Sequence, residues 1–234
     1  MAMDAQRRRR VRNRTDHPRR PRCDDRPRPA RRDDPACRHL FGPKGRQERR
    51  MNVQSPPKMS LDEFMRWGQR QDRKYELVRG VPVMLPYVRR NHSLIAGNVY
   101  FALRSSLDND AYSVHAGDFA IPTDDDTMRY ADVFVETAGG AGDARWTENA
   151  IVVVEVLSPS TQHNDFGPKR EEYLGLKSLD TYLIFSADEP RVWQWTRNED
   201  GAFEIEPIIL EDRAATIALA RLGVSIPLTD IYKG

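Results

Sequence analysis

The sequence predicts a mixed α/β (α+β) fold, with helices flanking a mainly antiparallel sheet that includes some crossover connections. Three observations predict it. Short strand-like runs alternate with turn residues, apolar residues recur at helical spacing from about Asn91 to Leu107, and one run, Ile151–Leu157, is almost wholly β-branched. Taken in order, Ser60-Leu61-Asp62-Glu63 has the form of a capping box, and Leu61, Phe64, Met65 and Trp67 share helical spacing behind it. Tyr75–Val78 and Val81–Leu85, separated by Arg79-Gly80, read as a hairpin. Leu94, Ile95, Val99, Leu103 and Leu107 mark the long helix. Ala111–Ile121 and Tyr130–Val135 read as strands around an Asp124-Asp125-Asp126 turn. After Ile151–Leu157 a helix is expected over roughly Phe166–Leu176, then strands at Thr181–Phe185, Val192–Trp195, Ala202–Ile205 and Ile208–Leu210.

The net charge of +2 over 234 residues is an average of two unlike pieces. Residues 1–50 carry 18 basic against 7 acidic side chains, a surplus of eleven, which leaves residues 51–234 with 19 basic against 28 acidic, a deficit of nine. The first piece holds six prolines and few large apolar residues. Residues 1–57 are therefore expected to form a disordered Arg/Pro-rich extension, and 58–234 the folded domain. The extension has three readings: a grip on nucleic acid through its arginines, a solvated charged segment, or upstream sequence translated from a mis-assigned start, since Met51 and Met59 both precede the first patterned segment. No apolar run reaches the about 18 residues that a membrane-spanning helix needs, and no apolar stretch follows the basic N-terminus as in a secretory signal. A cytoplasmic location is the expectation. Cys23 and Cys37, the two cysteines, both lie in the extension, which excludes a cysteine–zinc site or disulfide framework in the body.

Unbroken β-branched sequence marks a strand buried on both faces, and a single carboxylate, Glu155, interrupts Ile151–Leu157. Burying an ionised carboxylate without a partner is costly. Glu155 either binds a cation, pairs with a base, sits protonated or reaches a cleft; the blander alternative is a strand-end side chain in solvent. Asp132 opens another strand, and two carboxylates on neighbouring strands can hold a hard divalent cation. Glu76 is a third candidate, its alternative being the solvent face of an alternating strand. Asp165, Lys169 and Tyr173 share a helix face at successive four-residue steps. Lys169 can thereby reach the carboxylates, or remain an exposed lysine paired with Asp165.

These residues carry a resemblance. Tyr-Glu-Leu-Val-Arg-Gly (75–80), His92 opening a helix, Ala-Asp-Val (131–133), Val-Val-Glu-Val-Leu-Ser-Pro-Ser-Thr (153–161), then Asp165, Lys169 and Tyr173 resemble the Uma-type family of restriction endonucleases in the PD-(D/E)XK nuclease superfamily. The likeness spans about residues 58–232. It implies a restriction-endonuclease-like core, a mixed β-sheet flanked by helices, and Mg²⁺-dependent hydrolysis of DNA phosphodiesters, with Mn²⁺ as a substitute. Asp132 and Glu155 would be the motif carboxylates and, with Glu76, the metal ligands, aided by the Val156 carbonyl. Lys169 would replace the motif lysine from the neighbouring helix, positioned by Asp165 and Tyr173. His92 would contact the site or a phosphate, or be satisfied by backbone at a helix start. Ala131 stands where the superfamily name has proline, and Leu157 where it has lysine. His115 and His163 receive no role, and Ser158 and Ser160 are read as shaping a turn.

Three functions are weighed: a metal-dependent endonuclease, a catalytically silent interaction or regulatory module on the same fold, and a hydrolase of smaller phosphate esters. DNA is the expected substrate. A homodimer, with Trp67, Trp146 or the Val192–Trp195 strand at its interface, is a further expectation.

Overall fold

The computed structural model describes residues 58–157 and 165–233. The extension, and with it the three readings of its role, lies outside the described residues, as do Ser158, Ser160 and His163.

Helix α1 (Leu61–Gly68) begins with the expected reciprocal cap: the Glu63 N–H donates to Ser60 Oγ at 3.3 Å, and the Ser60 N–H donates to Glu63 Oε2 at 2.9 Å. Strands β1 (Tyr75–Val78) and β2 (Val81–Met84) form the hairpin. Its two-residue turn puts Arg79 at φ 51° and Gly80 at φ 79°, the left-handed pair whose twist suits the flanking strands. Helix α2 (Arg90–Ser106) buries His92, Ile95, Val99 and Leu103 along one stripe. Strand β3 (Tyr112–Ala116) follows, then the hairpin of β4 (Ile121–Asp124) and β5 (Thr127–Arg129), then β6 (Val133–Thr137) and β7 (Ala150–Val156). Helix α3 (Pro168–Leu174), preceded by a helical turn at Asp165 and Phe166, leads to β8 (Thr181–Phe185), β9 (Val192–Thr196) and β10 (Ile208–Leu210). A last hairpin, β11 (Thr216–Leu219) and β12 (Val224–Pro227), precedes α4 (Leu228–Ile231).

Two sheets frame the site. One has the order β2-β1-β5-β4, and the other, with six strands, the order β10-β9-β8-β7-β6-β3. Within the larger sheet only β7 and β8 pair in parallel, and α3 lies on the crossover between them. The expected mainly antiparallel sheet with a crossover is thus what the chain builds. Val152, Val154 and Val156 pack with Ile95, Val99 and Leu103 of α2, whereas Val153 packs with Tyr173 of α3 and with Phe134, Tyr182 and Trp195. Alternation along β7 sends successive side chains to opposite layers.

Four local expectations need correction. Residues 111–121 form no continuous strand: at Gly117 (φ 70°) the chain turns, so β3 joins the large sheet and β4 the small one. The stretch 130–135 is likewise divided, with β5 ending at Arg129 and β6 beginning at Val133. Residues 202–205 contribute a single bridge, Phe203 to Arg197, because Gln194 and Trp193 of β9 pair with Ile208 and Ile209 instead. Within Val192–Trp195, Val192 and Trp195 are core residues, packed in the apolar clusters on the two faces of the sheet, so their side chains do not offer an outer interface. The β11–β12 hairpin was not anticipated.

Candidate active site

Asp132 immediately precedes β6, and Glu155 is next to last in β7. Val133 pairs with Val154 in the antiparallel β6–β7 ladder. Continuing that register by one residue sets Asp132 opposite Glu155, and residues directly opposite point to the same face. Asp132 Oδ2 accepts the Val156 N–H at 2.7 Å and lies 3.1 Å from His92 Nε2. His92 Nδ1 is buried with no hydrogen-bond partner among the described residues.

From the opposite side comes α3. Pro168 occupies its first turn, where the missing N–H costs nothing, and Lys169 and Tyr173 stand one turn apart. Both reach the same atom: Lys169 Nζ donates to Glu155 Oε1 at 3.0 Å, and the Tyr173 hydroxyl donates to that oxygen at 3.1 Å. Lys169 Nζ is also 3.1 Å from Glu76 Oε1. Glu76 Oε2 accepts from Arg129 Nη1 at 2.8 Å, and its Oε1 accepts the Tyr130 N–H at 3.2 Å. Arg129 completes a two-pronged pair with Glu172 of α3, at 2.6 and 2.9 Å. The small sheet therefore supplies Glu76 and Arg129, the large sheet Glu155, and the crossover helix Lys169, Tyr173 and Glu172. The Tyr182 hydroxyl donates to the backbone carbonyl of Asp165 at 3.1 Å and so ties the turn before α3 to β8.

Glu76, Glu155 and Lys169 are exposed to 2, 4 and 6%, so their solvent-facing readings do not hold. Burial raises the Glu155 carboxyl well above its ordinary range; Lys169 opposes this, while Asp132, Asp165 and Glu76 reinforce it. Burial also pushes Glu76 upward, but Lys169 and Arg129 outweigh it and hold that carboxyl below its ordinary value. Burial would lower Lys169, yet Glu155, Glu76 and Asp165 raise it, so the side chain is a firmly held ammonium. Tyr173 is raised, chiefly by burial and then by Glu155 and Glu76, and stays a neutral donor. Two cations, Lys169 and Arg129, thus face Glu76, Asp132, Glu155 and Glu172, with Asp165 acting electrostatically on Glu155 and Lys169. Carboxyl groups outnumber the cations. Among the described residues no three His, Cys, Asp or Glu side chains converge as a ready-made metal cage.

The structure brings together Glu76, His92, Asp132, Glu155, Lys169 and Tyr173, with Asp165 alongside. Sequence reasoning missed Arg129 and Glu172. Glu172 left a signal, standing three residues after Lys169 on the same helix face; Arg129 left none, since the burial of its three-residue strand shows only in the fold.

A carboxylate ahead of one strand, a second near the end of its neighbour, and a lysine from the crossover helix, set on this mixed sheet, define a protein of the restriction-endonuclease-like class. The chain belongs to the Uma2 family, described as "Putative restriction endonuclease", whose model matches residues 61–229. It is 29% identical over 181 residues to the uncharacterized protein slr1290 of Synechocystis sp. (strain ATCC 27184 / PCC 6803 / Kazusa), covering 76% of this chain and 93% of that one. The crystal structure of a putative nuclease belonging to DUF820 from Anabaena variabilis ATCC 29413 matches with a TM-score of 0.60 at 14% identity, over 74% of this chain and 97% of that one, a likeness of fold. Family and fold together support a nuclease. Among the described residues no helix is long and apolar enough to cross a membrane.

Proposed function

We propose that the protein is a Mg²⁺-dependent DNA endonuclease in which Asp132 and Glu155 hold the metal and Lys169 stabilises charge on the scissile phosphate. The excess of carboxyl groups over cations in this cluster carries this reading. Mg²⁺ takes oxygen ligands, usually one or two carboxylates with water and substrate phosphate completing the shell. Asp132 and Glu155, opposite one another and of the right chemistry, fit that demand without a third carboxylate. The protein contacts described for them fall on one oxygen each, Oδ2 of Asp132 and Oε1 of Glu155. When bound, Mg²⁺ supplies Lewis-acid polarisation of the phosphate and a more acidic water.

The remaining roles belong to the chain. Lys169, raised rather than lowered, is no general base; as a desolvated ammonium it donates to an oxygen on which charge develops, where fixed positive charge is most effective. Glu76 has both oxygens engaged by Arg129, Tyr130 and Lys169. We assign it to positioning Lys169 rather than to the metal. Arg129 and Glu172 lock Glu76 to α3, Tyr173 orients Glu155, and His92 orients Asp132.

The test is cleavage of supercoiled plasmid in Mg²⁺ or Mn²⁺ by the full chain beside Asp132→Ala and Glu155→Ala. Both variants are expected to lose nicking, and calorimetry to show that the wild type binds Mg²⁺. Nicking that survives in both variants sinks the mechanism. The net acidity of residues 51–234 favours a second reading, the catalytically silent interaction module. Failure of the wild-type protein to bind Mg²⁺ or Mn²⁺ supports that reading instead.

A further inference from the structure

We propose that a groove beside Asp132 seats an unpaired DNA strand, with one base stacked on Tyr87 and the backbone led towards the carboxylates. The proposal rests on the nuclease reading and names the form of DNA that the site receives. The groove encloses about 230 Å³ and is lined by Arg73, Lys74, Tyr87, Val88 and Tyr130, with Asp132 also on its wall. Of the two proposed metal ligands Asp132 is the open one: its side chain is 23% accessible, against 5% for Glu155. Access to that pair is therefore from Asp132, where the groove lies.

Two features of the lining suit a single strand. Tyr87 is 81% exposed. The guanidinium carbon of Arg73 lies 4.0 Å from the centroid of its ring, covering one face. The opposite face is left as a stacking platform, and a cation behind the ring reinforces such a platform. Lys74 is fixed in turn, its ammonium 4.4 Å from the Tyr130 centroid, bonded to the Gly117 carbonyl and 3.2 Å from Asp118 Oδ1. Val88, 56% exposed, extends the apolar surface available to a base. Bases inside a duplex already stack on each other and present no free face, so a lone exposed ring selects unpaired DNA.

Charge completes the argument. Residues 51–234 are nine charges negative overall, yet the segment 64–90 that carries the groove's Arg73, Lys74 and Tyr87 holds seven basic side chains and two acidic ones. In the groove itself Arg73 and Lys74 balance Asp72 and Asp132, and the segment's remaining surplus supplies the positive charge that a polynucleotide needs outside the groove's lining.

The experiment uses the full chain in EDTA, so that binding is read without metal or cleavage. Fluorescence anisotropy is measured with a labelled oligothymidylate and with a duplex of equal length, and an iodouracil-substituted strand is photocrosslinked and the adduct mapped by mass spectrometry. The single strand is expected to crosslink at Tyr87, to bind roughly tenfold more weakly to Tyr87→Ala, and to recover with Tyr87→Phe, which keeps the ring. Because Tyr87 is a surface residue, the alanine variant retains the fold. Crosslinks confined to residues 1–50, with affinity unchanged in Tyr87→Ala, overturn the proposal. So does a duplex that binds as tightly as the single strand with the same dependence on Tyr87. Binding at Tyr87 without cleavage in Mg²⁺ retires the nuclease reading and keeps the groove; cleavage with no effect of Tyr87 does the reverse.

Discussion

On one face of β7, Val152, Val154 and Val156 are buried against Ile95, Val99 and Leu103 of α2. On the other face Glu155 is buried as completely, against Lys169 and Tyr173 of α3. The first face stabilises the fold by removing apolar surface from water, about 1.5–3 kcal/mol for each fully buried side chain of this kind. The second removes charge from water, which costs several kcal/mol per ion and is offset only by good partners. A fold in need of stability alone has no reason to build the second face. That difference singles out the α3 side as the face whose burial costs stability, and it is the face on which the proposed chemistry rests.

The largest effect is expected from Lys169→Met. It deletes the cation shared by Glu76 and Glu155 and leaves buried carboxylates without it, a loss of about 3–5 kcal/mol by urea denaturation, with plasmid nicking abolished. A loss below about 1 kcal/mol would show that the charged face is not held as described. Next comes metal. At a hundredfold excess over its dissociation constant, Mg²⁺ should stabilise the wild type by about 2.7 kcal/mol. It should leave the melting temperature of an Asp132→Asn, Glu155→Gln double variant unmoved, and an equal rise in both breaks the assignment. On the apolar face, Val154→Ala should cost about 2 kcal/mol by lost transfer energy and cavity formation, with nicking retained below the unfolding transition.

The smallest effect is the most diagnostic. Glu155→Gln should lie within about 1 kcal/mol of the wild type at neutral pH, because Lys169 keeps Glu76 and the glutamine oxygen remains an acceptor. The sign of its pH dependence follows from linkage. Glu155 has a folded value raised above 4.5, so its ionisation opposes folding: the wild type loses stability relative to Glu155→Gln as pH rises from there through the folded value. Glu76, held below 4.5, behaves oppositely; its contribution is present above 4.5 and lost as pH falls through its folded value, so Glu76→Gln should be penalised more at neutral than at acid pH. Denaturation midpoints across pH that move in one direction for both variants would contradict the environments assigned to these two carboxylates.

Much of this arrangement was legible in sequence because it is carried by local pattern. The β-branched run made β7 a buried strand, and the interruption made Glu155 conspicuous. Four-residue spacing placed Lys169 and Tyr173 together before any contact was known. What escaped was set by tertiary partners. Gly117 gave no clear sign that its turn would divide β3 from β4 between two sheets. The short strand ending at Arg129 is too brief for a period, and the partner of its guanidinium, Glu76, lies 53 residues away. The β11–β12 hairpin owes its burial to packing near α4 and α2, since Ile217, Leu219 and Ile226 join the α2 side of the core.

The crossover at α3 also governs when the protein acquires its chemistry. Parallel strands require a connection that leaves the sheet and returns, and here that connection carries Lys169. Pairing of β8, at residues 181–185, with β7 adds to the Arg129–Glu172 pair in holding α3 over Glu155. Glu76, Asp132, Glu155 and Lys169 come from four separate segments of the chain, so their juxtaposition depends on the assembly of both sheets and the crossover helix. On the proposed nuclease reading, the order of strand assembly serves as a safety catch.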